Sequence, residues 1–289
     1  MAKIISLLNK KGGVGKTTTT VHIASRLADM GYKTLIIDAD VSQGNATLHL
    51  MGEIWNAKEH TPGLGSVFIE GRPLNKVIYN TDRENLFIIP SEKFNKMGES
   101  YNLDMILSNF GPKGYFSFKK LIEKSGLSEK LDYILFDLPP SLGLSVSAAL
   151  IASDYVLIPF KVDDFSKNAV VDTVKTVLEI KEDYNEKLEI LGAFVSQNDR
   201  RNRTNNKMIE EARVLFKEAG TEILEAMIPV YNKMTVLPRE RKTVFDIKGA
   251  KVESINSYID LTDEILEKIN THQGSMISGK RTEITLGAR

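Results

Sequence analysis

The 289-residue sequence contains no cysteine, one tryptophan and four histidines. The absence of cysteine excludes disulfide bonds and thiolate-bound zinc or iron–sulfur clusters, and it favours a reducing compartment such as the cytosol. The histidines lie far apart, without the short spacings of metal ligands, which argues against a zinc site. Candidate chemistry therefore has to be sought among carboxylates, hydroxyls, lysines and backbone groups.

The chain also lacks an excess of either charge and any long apolar run. Lysine plus arginine and aspartate plus glutamate each number 38, so no overall field draws the protein onto nucleic acid or membrane, and such binding requires local patches. Apolar stretches such as 155–160 have the length of a strand, so neither a membrane span nor a signal peptide is expected. With 289 residues, 42% of them hydrophobic, the chain can bury a full core, and we predict one large domain. Without a signal peptide or membrane span, the protein is expected in the cytoplasm.

Strand-like apolar runs alternate with helical periodicity along the chain, which predicts an α/β fold with a doubly wound, mostly parallel sheet. The predicted strands are Lys3 to Asn9, Lys33 to Asp38, Leu86 to Pro90, Asp132 to Asp137, Tyr155 to Phe160, Leu188 to Ser196 and Glu222 to Pro229. We predict a single domain over residues 1–270, with an irregular insert at about 51–130. A polar tail over residues 271–289 is expected to be disordered or to bind a partner.

One motif stands between the first predicted strand and a helical pattern, and it reads Lys11-Gly12-Gly13-Val14-Gly15-Lys16-Thr17-Thr18. Strand, glycine-rich loop and helix together are typical of a phosphate-binding loop, or P-loop. The glycines allow backbone N–H groups to surround the β-phosphate, and the positive end of the helix dipole faces the same anion. In this pattern Lys16 reaches the β and γ oxygens, Thr17 binds Mg²⁺ and Thr18 approaches the α-phosphate. The motif predicts binding of ATP with Mg²⁺; the alternative is a glycine-rich turn without a ligand.

A second lysine, Lys11, stands at the front edge of this loop. Two ammonium groups side by side repel each other, so we expect Lys11 to point outward. There it either reaches the nucleotide of a facing subunit, as an arginine finger does, or is a solvated surface lysine. With this extra lysine the motif resembles the deviant Walker A loop of the ParA/MinD family of P-loop ATPases, whose signature lysine has this position. The resemblance implies an ATPase that forms a homodimer on ATP, with Lys11 contacting the partner's nucleotide.

Acidic residues follow two of the predicted strands. Asp38 and Asp40 come at the carboxyl end of the second strand, where open α/β sheets bind ligands, and either suits Mg²⁺ or water; strand-end caps are the alternative. By resemblance Asp40 orients the attacking water, although the segment after it is one residue longer than the family pattern and lacks its proline. Asp137 ends another strand and is expected to hold Mg²⁺ through a water, as a Walker B aspartate does. Leucine, not glutamate, follows Asp137, which predicts slow intrinsic hydrolysis.

The resemblance extends to about residue 270. An Ile-Pro pair at 228–229 fits a late segment of the family, which implies that the backbone around Pro229 and Tyr231 lies against the adenine. The stretch 271–289 lacks the basic amphipathic helix of membrane-bound members, so no stable membrane association is expected. Because the first strand begins at residue 3, no helix-turn-helix and no sequence-specific repression are expected either.

Two local basic groups are candidate DNA contacts: Arg200, Arg201, Arg203 and Lys207 in the first, and Arg239, Arg241 and Lys242 in the second. No base-reading motif surrounds them, so their contacts with phosphates would be sequence-independent and salt-sensitive; each group is equally compatible with a solvated surface. The resemblance implies a ParA/Soj-type DNA-partition ATPase. Its ATP-bound dimer binds nonspecific DNA and associates with the nucleoid, and a ParB-type centromere-binding protein stimulates hydrolysis and release.

Two other functions remain open from the sequence. A MinD-like ATPase that positions an assembly on a membrane surface shares the same nucleotide site. A metabolic ligase or synthetase on a related scaffold is the second alternative, and it requires a small-molecule pocket in the 51–130 region.

Overall fold

The computed structural model describes residues 1–41, 43–52, 61–92, 102–162, 167–199, 204–247 and 252–285. Within these ranges one seven-stranded sheet has the order β3-β4-β2-β5-β1-β6-β7. The strands are β1 (Lys3–Leu7), β2 (Thr34–Asp38), β3 (Tyr79–Asn80), β4 (Leu86–Ile89), β5 (Tyr133–Asp137), β6 (Tyr155–Phe160) and β7 (Glu189–Val195). All neighbours run parallel except β3 and β4, which are antiparallel. The predicted doubly wound, mostly parallel sheet is confirmed.

Helices cover both faces of the sheet. They are α1 (Lys16–Asp29), α2 (Asn45–Met51), α3 (Leu64–Ile69), α4 (Leu103–Ser108), α5 (Ser117–Ser125), α6 (Leu127–Lys130), α7 (Leu144–Ala152), α8 (Lys167–Asp183), α9 (Thr204–Glu218) and α10 (Val252–Thr285). Short 3₁₀ helices lie at Leu74–Lys76, Gly111–Phe116, Asn232–Thr235 and Val244–Asp246. Among the described residues, no helix combines the length and apolar character that a bilayer crossing demands.

The central strands are mainly apolar because both of their faces are buried. In β1, Ile4 packs into the cluster that contains α7, while its neighbour Ile5 faces the opposite cluster, which contains α1 and α10. Side chains alternate in this way along β2 and β5 as well, so the usual polar positions of a half-exposed strand are missing. The inner strands therefore carry short apolar runs, such as Leu35-Ile36-Ile37 in β2 and Tyr133-Ile134-Leu135-Phe136 in β5, instead of an alternation of polar and apolar residues.

The structure differs from the predicted strands at the late segment 222–229. It forms only isolated bridges, Ala193 with Ile223 and Asn198 with Pro229, instead of a strand. The carboxylate of Glu264 on α10 accepts the backbone N–H of Glu225 at 3.0 Å and of the next residue at 3.0 Å. The carboxylate of Glu264 thus accepts two backbone N–H groups that would otherwise pair with a neighbouring strand. The prediction of a strand at 222–229 was wrong.

The segments expected to be irregular carry more structure than their composition suggests. Within 51–130, β4 pairs with β2 in the main sheet, so part of this stretch belongs to the core instead of an insert. Helix α10 continues through residue 270 to Thr285, so most of the stretch expected as a disordered tail is helical. A helix can be extended from a well-packed preceding portion at little further cost, so polar composition does not exclude helix here; the expected role of 271–289 as a disordered or partner-binding tail stays a prediction. The boundary of the domain at residue 270 stays a prediction.

Candidate functional site

The predicted phosphate-binding loop connects β1 to the first turn of α1. Gly13 and Gly15 have φ of 73° and 84°, a left-handed conformation that favours glycine. Gly15 precedes α1 without a side-chain cap, and the first turn of the helix holds no acidic residue. Its backbone N–H groups are therefore available to an anion. A side-chain carbon added at Gly12 or Gly13 would meet nothing within 4 Å, so this side of the loop is open.

Lys16 lies buried at the start of α1, with 7% of its surface exposed. Its Nζ donates to the backbone oxygens of Asn9 at 3.1 Å and Lys11 at 3.3 Å. Burial lowers the pKa of Lys16, and the negative charges of Asp137 and Asp40 oppose that shift. The ammonium is thus held inside the loop by neutral carbonyls, an arrangement that gains strongly when a phosphate supplies charge-assisted hydrogen bonds.

Side chains from two other elements hold the loop in shape. Ser196 Oγ, which follows β7, donates to the carbonyl of Val14 at 2.7 Å, and Gln197 Nε2 donates to that of Gly13 at 3.0 Å. Asn9 Nδ2 donates to the carbonyl of Pro159 in β6 at 2.7 Å, while its Oδ1 accepts the N–H of Lys11 at 2.9 Å. The loop is therefore fixed against β6 and the end of β7 by contacts that its own sequence does not reveal.

Asp137 ends β5 beside the loop, fully buried. Neither oxygen of its carboxylate has a hydrogen-bond partner by distance and angle among the described residues. Burial raises the pKa of Asp137 well above its usual range, and the nearby charges of Asp38 and Asp40 raise it further, while the Thr17 hydroxyl and Lys16 act in the opposite direction. Because a fully buried carboxylate is costly unless its charge is compensated, this group is suited to a cation that arrives with the nucleotide.

Asp38 and Asp40 have different surroundings although they lie two residues apart. Asp38 Oδ2 accepts hydrogen bonds from the Thr47 backbone at 2.8 Å and from the Thr47 hydroxyl at 2.6 Å, which holds the first turn of α2. Burial raises the pKa of Asp38 to about 7, against the effect of these bonds. Asp40 accepts the N–H of Gln43 at 3.2 Å and lines the cavity beside the loop. Asp38 therefore anchors α2, whereas Asp40 faces the ligand space.

The residues of the site fit a Mg²⁺ ion that takes only some of its oxygen ligands from the protein. The described part of the chain contains no cluster of three or more histidine, cysteine or acidic side chains arranged as metal ligands. Mg²⁺ prefers one or two carboxylates together with waters and substrate phosphates, and it does not require an all-protein cage. Thr17 with Asp137 and Asp40, next to an open phosphate loop, offers that partial set of oxygen atoms. A bound Mg²⁺ would neutralise phosphate charge here.

We expect Asp137→Asn to stabilise the nucleotide-free protein while it abolishes Mg²⁺-dependent turnover. The substitution removes a fully buried carboxylate whose charge is opposed by those of Asp38 and Asp40, and each kcal/mol gained raises the melting temperature by about 2–4 °C for a chain of this size. Calorimetry without nucleotide measures the first effect, and phosphate release measures the second. Asp132→Asn, at the exposed start of the same strand, is the control and should leave turnover unchanged. A lower melting temperature for Asp137→Asn would contradict the assignment.

A cavity of about 1240 Å³ extends from the phosphate loop to the segment 228–241. Gly12, Gly13, Gly15, Lys16, Thr17, Thr18 and Asp40 line one side of it, and Pro229, Tyr231, Arg239 and Arg241 line the other. The residues predicted to contact adenine thus face the same space as those predicted to bind phosphates. Lys11, which is half-buried, is not among the described residues that line the cavity.

The candidate DNA contacts are not all at one surface. Arg200, Arg201 and Arg203 lie outside the described residues, whereas Lys207 is strongly exposed and 4.0 Å from Glu211. In the second group Arg241 pairs with Asp82 at 3.0 Å and Lys242 with Glu240 at 3.0 Å. Arg239 and Arg241 of the second group line the nucleotide cavity. Acidic residues of the same chain neutralise part of the charge of this group.

The sequence of this chain is similar to those of known proteins over most of its length. The profile of the AAA_31 family, an AAA domain, matches residues 2–190, which is more than half of the chain. The chain belongs to the AAA_31 family. It is 29% identical to the sporulation initiation inhibitor protein Soj of Bacillus subtilis over 265 residues, 92% of this chain and 98% of that protein. It is 27% identical to the chromosome-partitioning ATPase Soj of Treponema pallidum, over 93% and 98% of the two chains.

Among solved structures, the septum site-determining protein MinD of Pyrococcus horikoshii, complexed with Mg-ADP, has a similar fold. The TM-score is 0.68 at 23% identity, and the match covers 92% of this chain and 96% of that one. At this identity the likeness supports the fold alone. Membership of the AAA_31 family, similarity to the Soj proteins and an intact phosphate loop make this chain an ATPase of the ParA/MinD type.

Several residues that shape the site of this AAA_31 ATPase escaped the sequence analysis. Asn9 and Ser196 hold the phosphate loop, and Thr47 links Asp38 to α2. Each is a polar residue that is nearly or fully buried and that belongs to no local motif. A buried polar residue next to a predicted strand end is the signal that would have found Asn9 and Ser196; nothing in the local pattern around Thr47 indicates its partner.

Proposed function

We propose that this ATPase acts with ATP and Mg²⁺ as a DNA-segregation ATPase of the ParA type. In the proposed cycle ATP closes a homodimer, the dimer binds DNA without sequence preference, and hydrolysis stimulated by a ParB-type partner releases it. The observation that carries the proposal is the similarity to Soj proteins over more than nine-tenths of both chains, one of which is named a chromosome-partitioning ATPase. The cycle also implies a protein that is cytoplasmic and is associated with the nucleoid when ATP-bound.

The geometry of the loop supports dimerisation on ATP. Lys16 lies within the loop, and its Nζ donates to the carbonyl of Lys11. One ammonium is thus already placed to bind the phosphates of the nucleotide in the same subunit. The backbone N–H of Lys11 donates to Asn9 Oδ1 at 2.9 Å, and we propose that the side chain of Lys11 lies at the rim of the loop in the ATP-bound dimer. From the rim a lysine neutralises phosphate charge on a facing nucleotide without adding a second cation to its own site.

Slow intrinsic hydrolysis agrees with the acidic residues of the site. Leu138 follows Asp137, so no carboxylate stands next to the metal-binding aspartate as a general base. Asp40 is 5% exposed and faces the cavity, and we propose that it orients the attacking water. A partner that repositions the Asp40 loop then has a large effect on the rate, because orientation of the nucleophile is a major part of phosphoryl transfer.

DNA binding is proposed to use Arg239 and Lys207, together with residues of the partner subunit. The chain carries no net charge, so attraction to DNA must come from local positive groups, and doubling them in a dimer raises the apparent affinity. Arg241 and Lys242 already pair with acidic residues and contribute less until those pairs break. No base-reading motif surrounds these residues in the sequence, which agrees with binding to a duplex of any sequence.

The test is an ATP-dependent mobility-shift assay on a random-sequence duplex. We expect retention with ATP and Mg²⁺ and none with ADP, and Arg239→Glu should weaken retention equally on unrelated duplexes and reduce the salt slope. Lys175→Glu, on the exposed face of α8, lowers the net charge by the same two units and is the control for overall charge. Retention on anionic liposomes instead of DNA would favour a membrane-surface ATPase and overturn the proposal.

We expect Asp40→Ala to bind ATP yet to remain on DNA. Without the water-orienting carboxylate the turnover falls, by about 100-fold or more, while the phosphate loop still binds nucleotide. The same mobility-shift assay, chased with ADP, measures the lifetime on DNA. Asp183→Ala, at the exposed end of α8, is the control for loss of an acidic group. Loss of ATP-dependent retention in Asp40→Ala would assign Asp40 to metal binding or structure instead.

A further inference from the structure

Two buried histidines have no role in the proposed cycle. His22 on α1 is fully buried and His49 on α2 is 2% exposed. Their rings meet edge to face, with 6.1 Å between the centroids, and His22 stacks on Tyr258 of α10 at 4.4 Å. The three rings fill the space between the helix that carries the phosphate loop, the helix after Asp40 and the long helix at the end of the chain.

The hydrogen bonds of His22 define its tautomer. Nδ1 lies 2.6 Å from the carbonyl oxygen of Thr18, which only accepts, so Nδ1 carries the proton. Nε2 accepts the backbone N–H of Val244 at 3.2 Å, so this nitrogen is unprotonated. Burial lowers the pKa of His22 to about 3, in agreement with a neutral ring. The side chain thus joins the end of the phosphate loop to the backbone of a distant segment.

His49 contacts the same segment two residues earlier. Its Nε2 donates to the carbonyl oxygen of Lys242 at 2.7 Å. Beside it, Gly52 at the end of α2 packs against the stem of Arg241, whose Cδ would lie 3.1 Å from a side-chain carbon placed at Gly52. Arg241 has a φ of 54°, an uncommon conformation for this residue type, so its surroundings hold the backbone there.

The far side of the segment is held by a separate set of contacts. Thr243 and Asp246 form a capping box around the 3₁₀ helix, and Arg83 bridges Asp246 and Asp29. Asp29 ends α1, so this bridge ties the segment to the carboxyl end of that helix, and none of its three residues lines the nucleotide cavity. The contacts of His49 and Gly52 are therefore those that connect the segment to α2, whose start lies five residues after Asp40.

We infer that His22 and His49 form a clasp that positions the backbone of residues 242–244, and with it the basic group at 239–242, according to the state of α2. Gln43, Asn45 and Leu48 line the nucleotide cavity, so a nucleotide bound there would contact α2 and the loop before it. A shift of α2 moves His49, and the hydrogen bond to Lys242 passes the shift to the basic group. The role in DNA binding rests on the proposed function, whereas the clasp itself does not.

The experiment is amide hydrogen exchange of the full chain at saturating ADP and at a saturating non-hydrolysable ATP analogue. In the wild type we expect amides of 242–246 to differ between the two nucleotides by about fivefold or more, the lower end of usual coupling between sites. His49→Leu should abolish this difference, and His49→Gln, whose side chain keeps an N–H donor, should retain it. His272→Leu, on α10 away from the segment, is the control.

A second pair tests the clasp from α1, so that a folding defect at one position does not decide the outcome. His22→Gln keeps a donor for Thr18 and an acceptor for Val244, whereas His22→Phe keeps only the ring that stacks on Tyr258. The inference is overturned if the wild type has no nucleotide-dependent difference at 242–246, or if the Leu and Phe variants keep it. If the wild type has the exchange difference at 242–246 but is not retained on DNA with ATP, the proposed function is refuted and the inference of the clasp is unaffected.

Discussion

Lys16→Ala is expected to lose nucleotide binding, by a factor of about 100 or more. Lys16 is the buried cation of the phosphate loop, and its Nζ is held by two carbonyl oxygens at the point where the β- and γ-phosphates are predicted to lie. Charge-assisted hydrogen bonds contribute about 1.5–3 kcal/mol each, and a factor of ten corresponds to about 1.4 kcal/mol, so loss of two such bonds gives an effect of this size. Isothermal titration with ATP and Mg²⁺ measures it.

The control for Lys16→Ala is Lys10→Ala. Lys10 lies six residues earlier, is partly exposed and pairs with Asp172 at 3.2 Å, so its removal should leave the affinity for ATP unchanged. The loss in Lys16→Ala should also remove the rise in melting temperature that ATP produces in the wild type. An affinity within threefold of the wild type for Lys16→Ala would show that the loop does not bind the phosphates.

Lys11→Ala is expected to keep ATP and to lose ATP-dependent dimerisation. Lys11 does not line the cavity of its own chain, so its removal leaves the phosphate contacts of Lys16 and Thr17 in place. Two nucleotides facing each other bring two triphosphates close together, and without Lys11 their repulsion is not neutralised. Light scattering with ATP and Mg²⁺ measures the dimer, and turnover should fall by about a thousandfold, as it does when an arginine finger is removed.

The decisive comparison sets Lys11→Ala beside Lys10→Ala at equal nucleotide saturation. Both substitutions remove one lysine near the loop and so change the net charge equally, but only Lys11 belongs to the motif. Equal dimer fractions for the wild type and Lys11→Ala would remove the role across the interface. Lys11 would then be a structural residue whose backbone, in contact with Asn9 and Lys16, serves the loop.

The elements that the sequence predicts correctly are those with local causes. The inner strands, such as β1 and β5, are apolar runs bounded by turns, and the phosphate loop is a contiguous motif between a strand and a helix. Because parallel strands end at one edge of the sheet, Asp137 and Asp38 were expected near the loop, and they are register partners at the ends of β5 and β2. The roles of these aspartates stay predictions.

The elements that the sequence misses depend on contacts between distant segments. Residues 222–229 have strand composition, yet Glu264, nearly forty positions further on, takes backbone donors there. Arg241 looks like part of a basic surface, but the fold places Asp82, more than 150 positions earlier, against it. Pairing of charges over long sequence separations leaves no periodic signal, so only the folded chain reveals it.

The sequence by itself determined the nucleotide chemistry of this protein and the class of its fold, because a contiguous loop and apolar runs are local properties of a chain. The tertiary structure alone decided which groups surround that loop: Asn9 and Ser196 that hold it, and the two histidines that join α1 and α2 to residues 242–244. Hydrogen bonds of this kind depend on the distance between atoms in space, and residues more than a hundred positions apart acquire that proximity only when the sheet and its helices have formed.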